Sequence, residues 1–345
     1  MKKFFLYCLM ISGLAIVIFF SLTWGAIKIP LHDVISILAK SIGCFNGVVD
    51  STYEGVIYII RFPRLLLGLL VGAALGISGA AIQGIFRNPL AEPSLIGISA
   101  GASLMAVIVI TLEASILVGL SDLFGYYLLA FSAFAGAGFV AFIVYSVARI
   151  NGSANVATML LAGIAINAFA GALTGLMTYL ANEQQLRTIT FWMLGSLGGA
   201  TWQTVWTVAP FILVPLMLLP LLAKSLNAFA LGEAQASMLG IQPNKVKLQV
   251  VVLATMAVGA SVAVSGIIGF VGLLVPHIIR LIGGVDHKFV LPASALLGAL
   301  TLALADMLAR NLVAPIELPI GVITALLGAP VFLYILLKEK KKVLH

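Results

Sequence analysis

The chain has 345 residues, of which 62% are hydrophobic and only 9% are charged. No soluble domain of this length could bury so much apolar side chain, so the composition excludes a soluble protein and places the chain in a lipid bilayer. The net charge of +7 does not indicate nucleic-acid binding, because Lys and Arg fall between apolar runs and form no patch with aromatic residues. Two cysteines, Cys8 and Cys44, are too few for a metal cluster, so we expect no metal site and no cofactor bound by this chain.

The N-terminal segment has the basic start of a secretory signal, because Lys2 and Lys3 precede an apolar stretch. That stretch continues to residue 26, which is about twice the length of a usual signal-peptide core, and it lacks an A-x-A-like cleavage site. We interpret it as an uncleaved first membrane helix.

Apolar runs of membrane-spanning length follow one another along the chain. A helix needs roughly 20 apolar residues to cross the hydrocarbon core. The pattern predicts an all-α, polytopic fold with eight to ten spans in a single transmembrane domain over residues 1–345. Residues 266–283 are the hardest to assign, since Pro276 breaks a shorter run there. The other runs lie near residues 4–26, 64–86, 94–112, 126–148, 154–180, 204–223, 248–268, 290–309 and 318–337.

The distribution of basic residues predicts the orientation of the spans. With ten spans and both termini inside, 13 of the 19 Lys and Arg residues lie on the cytoplasmic side and 6 lie outside. This bias agrees with the positive-inside rule. Nine spans would place the Lys-rich C-terminus outside, which the same rule disfavours.

Small residues recur at fourfold spacing in three of the runs. Such stripes let helix backbones approach closely, so they predict a compact bundle, and a ligand path along them is the alternative. The residues are Gly68, Gly72, Gly76, Ala80 and Gly84, then Gly163, Gly171 and Gly175, and near the end Gly321, Ala325 and Ala329.

Sequence motifs for catalysis are missing. Without G-x-x-x-x-G-K-[ST] the chain cannot cradle ATP phosphates in a P-loop, and neither H-E-x-x-H nor G-x-S-x-G occurs. We therefore predict a transport protein with no catalytic residues. Asp306 lies four residues before Arg310, a spacing at which the two charges can neutralise each other. Scarce intramembrane charge weighs against two alternatives, a stand-alone secondary transporter and an intramembrane enzyme.

The polar segment near residues 224–246 separates two apolar runs. Ala230 to Leu239 is rich in helix formers, with Gly240 placed to end a helix and Pro243 just beyond. A short helix of this kind, carrying the lone acid Glu233, would fit a groove on a soluble partner. An ordinary helix at the membrane interface is the alternative interpretation.

Four stretches carry a resemblance to a known family: LGEAQASMLGIQP, FWMLGSLGGATW, residues 61–103 with RNPLAEP, and residues 269–338 with ELPIG and LGAP. They resemble the FecCD-type permeases, the membrane subunits of ABC importers for ferric siderophores, haem and vitamin B12. The resemblance implies a type II ABC importer permease fold with about ten transmembrane helices in a bacterial inner membrane. It also implies a homodimer, two ATPase subunits that use ATP and Mg, and a periplasmic or lipid-anchored substrate-binding protein.

The resemblance also implies site residues. Arg61, Arg64 and Arg310 match arginines that dock the binding protein on the outer face, and snorkelling at the membrane interface is the alternative role. The ATPase would contact the coupling residues Leu231, Gly232, Glu233, Ala234, Ala236, Leu239 and Gly240. The cytoplasmic gate would fall on Asn155, Val156, Ala157 and Thr158. At the first three of these positions the chain departs from the small hydroxyl residues of vitamin B12 permeases.

The resemblance leaves the cargo open. Haem and ferric siderophores lead, and vitamin B12 comes second because of the departure at the gate. His277 follows Pro276 inside a span and could in principle touch haem iron, but a lone histidine is more often satisfied within the fold.

Overall fold

The computed structural model describes residues 2–25, 27–41, 43, 49–113, 116–125, 127–150 and 152–343. The described part of the chain is almost entirely helical. Its helices are α1 Lys2–Thr23, α2 Leu31–Ser41, α3 Ser51–Gly55, α4 Phe62–Phe86, α5 Ile98–Leu112, α6 Val118–Phe124, α7 Tyr127–Val147, α8 Val156–Leu180, α9 Glu183–Leu194, α10 Trp202–Leu218, α11 Ala223–Phe229, α12 Glu233–Met238, α13 Pro243–Ser265, α14 Val271–Gly283, α15 His287–Asn311 and α16 Ile320–Val343.

Short elements complete the chain path. A π-helical turn, Val56–Arg61, joins α3 to α4, and two 3-10 turns cover Pro93–Ile96 and Leu219–Leu222. Two strands of two residues each, β1 Arg149–Ile150 and β2 Ser153–Ala154, pair antiparallel between α7 and α8. This small hairpin leads directly into the N-terminus of α8.

Ten apolar helices confirm the predicted all-α membrane fold. Seven described helical segments are long and apolar enough to cross a bilayer, and α5, α14 and the apolar part of α16 are shorter ones. Both α1 and α15 pack beside α4. Lys3 on α1 lies next to Asp286, the N-cap of α15, whereas Arg64 on α4 lies next to Asp306 in the last turns of α15. We call these two ends of the bundle the Lys3 end and the Arg64 end. Helices α2 and α9 were not among the predicted runs.

Capping residues determine where several helices begin. The side chain of Asn155 accepts a hydrogen bond from the Thr158 amide at the start of α8, and Asp286 caps α15 in the same way. Asn182 and Gln185 form a reciprocal capping box at the start of α9. Each of these side chains satisfies an amide that the helix itself leaves unbonded.

Helix α4 lies at the centre of the bundle, and its glycine stripe confirms the predicted close approach of helix backbones, with α15 as the neighbour. A Cβ added at Gly72 would lie 2.3 Å from the Gly298 carbonyl oxygen, and one at Gly76 would lie 2.1 Å from the Ser294 oxygen. Larger side chains would force the two helices apart. In α8, by contrast, a Cβ at Gly171 would meet no described atom within 4 Å.

The break in the uncertain region lies before α14. Pro276 is inside α14, whereas the prediction had it interrupt the run. The chain leaves helical geometry between Gly266 and Phe270, both of which have a positive φ. At Gly266 a side chain would overlap the Trp192 carbonyl oxygen, so glycine suits this close approach. The resulting α14 has 13 residues, too few to cross a bilayer alone.

Candidate functional site

The segment predicted to contact an ATPase folds as two short helices at the Lys3 end. Helix α12 spans Glu233–Met238, which is shorter than the predicted 230–239, and Gly240 follows it with φ +80° as a helix-ending glycine. Gly232 precedes the helix with φ +114°, a conformation that favours glycine. The two glycines therefore set both ends of α12.

The predicted coupling residues divide into exposed and buried sets. Leu231 and Leu239 are each 65% exposed, and Ala234 and Gly240 are also exposed. Ala236 is fully buried, so in the isolated chain it packs inward. An exposed apolar edge on an otherwise anchored surface helix is the arrangement that a groove on a partner would accept. The contact itself stays a prediction.

Glu233 points away from that exposed edge and forms an ion pair with Lys247. Its Oε2 lies 2.6 Å from Lys247 Nζ, and the same Nζ donates to the Ala154 carbonyl oxygen at 2.6 Å. Lys247 is 1% exposed. Sequence reasoning missed Lys247, because nothing in its neighbourhood distinguishes it from the exposed Lys245.

The four predicted gate residues begin α8. Asn155 is the N-cap, and its Oδ1 accepts a hydrogen bond from the Thr158 amide at 3.1 Å. Val156 is partly buried and Ala157 is exposed. The cap gives Asn155 a structural role at this turn, and a gating role for the four residues stays a prediction.

A second set of hydrogen bonds fixes the neighbouring α11 at the same end. Asn227 Oδ1 accepts from the His287 amide at 2.8 Å, and Asn227 Nδ2 donates to Asp286 Oδ1 at 2.8 Å. Asp286 also lies 3.3 Å from Lys3 Nζ. The hydrogen bonds from Asn227 and from the Lys288 amide hold the pKa of Asp286 at about 2, below its ordinary 3.8.

A turn formed by Arg87, Asn88 and Pro89 follows α4 at the Lys3 end. Arg87 takes the left-handed conformation that ends α4, and the Asn88 side chain accepts a hydrogen bond from the Leu90 amide at 2.9 Å. Pro89 cannot continue the helix. The RNP element therefore shapes a turn.

At the Arg64 end, two arginines surround a buried carboxylate. Arg64 Nε lies 2.9 Å from Asp306 Oδ1, and Arg310 Nε lies 3.1 Å from Asp306 Oδ2, which confirms the predicted i, i+4 pair. Arg64 Nη1 also donates to Glu317 at 2.9 Å, and Arg310 Nη2 donates to Ser21 Oγ at 2.7 Å. We name Arg64, Asp306, Arg310 and Glu317 the outer charge cluster.

Arg61 lies beside this cluster and bonds to main-chain oxygens. Its guanidinium donates to the carbonyl oxygens of Leu22 and Ile27. In the isolated chain Arg61 is 4%, Arg64 8% and Arg310 9% exposed. The docking prediction assumed accessible arginines, whereas the structure places all three inside the chain, and Glu317 is the cluster residue that sequence reasoning missed. Their role in docking stays a prediction.

Metal-binding side chains do not gather in the described part of the chain. No group of three or more His, Cys, Asp or Glu there could hold an ion. His277 is buried in α14 at 5% exposure. Cys8 is a free, exposed thiol on α1, and Cys44 lies outside the described residues.

Comparison with known proteins assigns this arrangement to a family. The profile described as the FecCD transport family matches residues 13–338, which is nearly the whole chain. The chain belongs to the FecCD transport family. Its four family-like stretches and the ten apolar helices of the described residues agree with that assignment.

Two relatives of this chain carry the name of a cargo. The chain is 46% identical over 284 residues to the hemin transport system permease protein HmuU of Yersinia pestis, covering 82% of this chain and 83% of that protein. It is 41% identical over 288 residues to the cobalamin import system permease protein BtuC of Halobacterium salinarum, covering 84% and 75%.

A solved structure shares the fold of this FecCD-family chain. It is described as an inward-facing conformation of a metal-chelate type ABC transporter, with a TM-score of 0.84 and 30% identity over 97% of this chain and 99% of that one. The chain is therefore a multi-pass membrane permease of the ABC importer class. This assignment favours transport over the intramembrane enzyme and the stand-alone carrier.

Proposed function

We propose that this chain is the membrane subunit of an ATP-driven importer that carries an iron complex, haem or a ferric siderophore, into a bacterial cell. Two copies would form the permease in the inner membrane, with both termini and the Lys3 end in the cytoplasm. Two separate ATPase subunits would bind α12 and hydrolyse ATP with Mg. A periplasmic or lipid-anchored binding protein would deliver cargo at the Arg64 end.

One observation carries this proposal most directly: α12 exposes an apolar edge while its remaining surface is fixed to the bundle. Leu231 and Leu239, which flank α12, are 65% exposed, whereas Ala236 within α12 is completely buried. A helix that lay passively at the membrane surface would not need its opposite face tied down by an ion pair. The rigid mounting suits a helix that receives force from a partner.

Homodimer formation has separate support. Helix α8 leaves large apolar side chains exposed in the isolated chain, among them Leu161, Phe169 and Tyr179. Among the described residues, none lies within 4 Å of a Cβ added at Gly171 or Gly175 on α8, so these two positions of the predicted packing stripe make no close contact within one copy. Small residues on a spanning helix favour close helix association.

The relatives and the gate turn both bear on whether the cargo is an iron complex or cobalamin. The hemin permease is 46% identical to this chain and the cobalamin permease of Halobacterium salinarum 41%, a narrow difference. In the gate turn, Asn155, Val156 and Ala157 stand where the resemblance to cobalamin permeases would place small hydroxyl residues, and Thr158 follows them. Cobalamin transport is the second candidate.

The test reconstitutes the chain with its cognate ATPase in proteoliposomes and measures the uptake of isotope-labelled cargo. Haem, a ferric siderophore or cobalamin is offered on the binding protein, with and without ATP. We expect ATP-dependent accumulation of haem or siderophore, and ATP turnover that rises when loaded binding protein is added. Uptake that proceeds without the ATPase would contradict the proposal, and uptake of cobalamin alone would select the second candidate.

A further inference from the structure

Lys247 occupies an unusual position for a lysine. Its side chain is 1% exposed in the first turns of α13, although Lys245, two residues earlier, is exposed. Lysine is almost never fully buried unless a partner compensates its charge. Here the compensation comes from Glu233 Oε2 at 2.6 Å.

The same ammonium group has a second partner from a different part of the chain. Lys247 Nζ donates to the Ala154 carbonyl oxygen at 2.6 Å, and Ala154 ends β2. One buried side chain therefore joins α12, α13 and the hairpin between α7 and α8. We name Glu233, Lys247 and Ala154 the lysine bridge.

Asn244 strengthens the hold of α13 on the hairpin. Its Oδ1 accepts from the Ala154 amide at 3.2 Å and from Ser153 Oγ at 3.1 Å, and its Nδ2 donates to the Gly152 oxygen at 3.2 Å. Asn244 and Lys247 are three residues apart, so they lie on one face of the helix. The hairpin is consequently held at both the amide and the carbonyl of Ala154.

Ala154 is also the residue directly before the cap of α8. The chain passes from Ala154 to Asn155, the N-cap, and then into the predicted gate residues up to Thr158. Two contacts, Glu233 to Lys247 and Lys247 to Ala154, therefore connect α12 to the start of α8. Buried charged groups resist separation, because parting them would leave an unpaired charge in a medium of low dielectric constant.

We propose that Lys247 is a positioning residue that transmits movement of α12 to the start of α8, so that α12 and the cytoplasmic turn move as one unit. This inference rests on the proposed function, since it requires an ATPase acting on α12. Lys247 touches neither cargo nor nucleotide in this scheme. It acts by holding the Ala154 carbonyl in a fixed relation to Glu233.

The alternative is a lysine that only stabilises the fold, and the test must separate the two. The measured quantity is the rate at which N-ethylmaleimide labels a cysteine introduced by Ala157→Cys, in a chain where Cys8→Ala and Cys44→Ala remove the native thiols. Labelling is followed in the permease–ATPase complex with and without ATP and vanadate. This readout needs no cargo, so it does not depend on which iron complex is carried.

We expect nucleotide to change the labelling rate on the order of fivefold or more in the otherwise unmodified complex, a typical size for coupling between two sites. Lys247→Met should abolish that change while the complex still hydrolyses ATP. Lys247→Arg keeps the charge and the donors, so it should restore much of the change. Lys245→Met is the matched control, because it removes an exposed lysine from the same turn and should behave like the unmodified complex.

Each possible result of the labelling experiment either supports or overturns the role proposed for Lys247. A nucleotide response in Lys247→Met equal to that in Lys245→Met would overturn the inference, whatever its effect on thermal stability. If Lys247→Met fails to assemble, Glu233→Gln gives the answer, because it keeps the side-chain shape and weakens the ion pair, and it must reduce the response for the inference to stand. An unmodified complex with no ATP turnover and no response would instead defeat the proposed function.

Discussion

An ion pair with at least one buried side chain occurs at each end of this bundle, but the two pairs join different kinds of element. In the outer charge cluster, Asp306 on α15 pairs with Arg64 on α4, so two spanning helices are tied to each other. In the lysine bridge, Glu233 on the short surface helix α12 pairs with Lys247 on α13. The first arrangement fixes the bundle, and the second attaches an exposed element to it.

The two regions also differ in how their charges balance. Asp306 is one buried carboxylate between two arginines, and only the partly exposed Glu317 adds a second negative charge. The lysine bridge contains one charge of each sign. We therefore expect the outer cluster to be more sensitive to loss of a single group, because removing Asp306 leaves two cations that repel each other.

The largest effect is expected at Asp306. Asp306→Ala leaves Arg64 and Arg310 buried without their shared partner, which costs on the order of 3–5 kcal/mol for a broken buried pair. Thermal unfolding of the purified chain in detergent should show a marked loss of stability. Glu317→Ala is the control: its side chain is 47% exposed, so its loss should cost about 1 kcal/mol or less. Equal losses in the two variants would contradict the comparison.

The next effect concerns the exposed edge of α12. Leu239→Glu places a charge on a side chain that is 65% exposed, so the chain should fold normally. Binding of the ATPase should weaken by roughly ten- to a hundredfold if this leucine seats in its groove. Ser237→Glu adds the same charge at an exposed position outside the predicted contact set. The affinity of both variants for the ATPase tests the contact. Identical affinities would show that Leu239 does not take part in it.

Sequence reasoning found the features that depend on local pattern. Apolar runs indicated the spans, the four-residue spacing of Asp306 and Arg310 indicated their pair, and Gly240 with Pro243 indicated the end of a short helix. Each of these signals lies within a few residues. The family resemblance then supplied the fold class and the transport function.

The missed features depend on partners far apart in the chain. Lys247 bonds to Ala154, 93 residues away, and Arg64 bonds to Glu317, 253 residues away. Hydropathy cannot show that one lysine is buried when its neighbour Lys245 is exposed. The same limit explains why the three outer arginines were expected at the surface, although carboxylates and main-chain oxygens inside the chain already bind them.

A smaller effect is expected from Arg61 in docking. Its hydrogen-bond partners in the described part of the chain are main-chain oxygens, so Arg61→Gln removes a charge without leaving a carboxylate unpaired. If its field guides the binding protein, the association rate should fall several-fold and depend less on salt, while dissociation changes little. Stopped-flow mixing at low and high salt measures both. Arg61→Lys keeps the charge and should retain the salt dependence, and an unchanged rate in Arg61→Gln would assign Arg61 to the fold alone.

The smallest effect is expected at Asp286, where the partners are mostly hydrogen-bond donors. Because the pKa of Asp286 is lowered from 3.8 to about 2 in the folded chain, its contribution to stability is complete above the unfolded value and is lost as the pH falls towards the folded one. The stability difference between the unmodified chain and Asp286→Asn should therefore be constant near neutral pH and shrink below about pH 4.

The causes of the lowered pKa of Asp286 can be distinguished in the same measurements. The hydrogen bond from Asn227 is the largest cause and the ion pair with Lys3 is a minor one, since both Lys3 and Asp286 are well exposed to solvent. Asn227→Ala should consequently remove more of the pH dependence than Lys3→Ala, and added salt should change it little. A pH dependence that disappears in high salt would show that the exposed ion pair with Lys3 on α1, rather than the hydrogen bond from Asn227 on α11, is the main cause of the lowered pKa of Asp286.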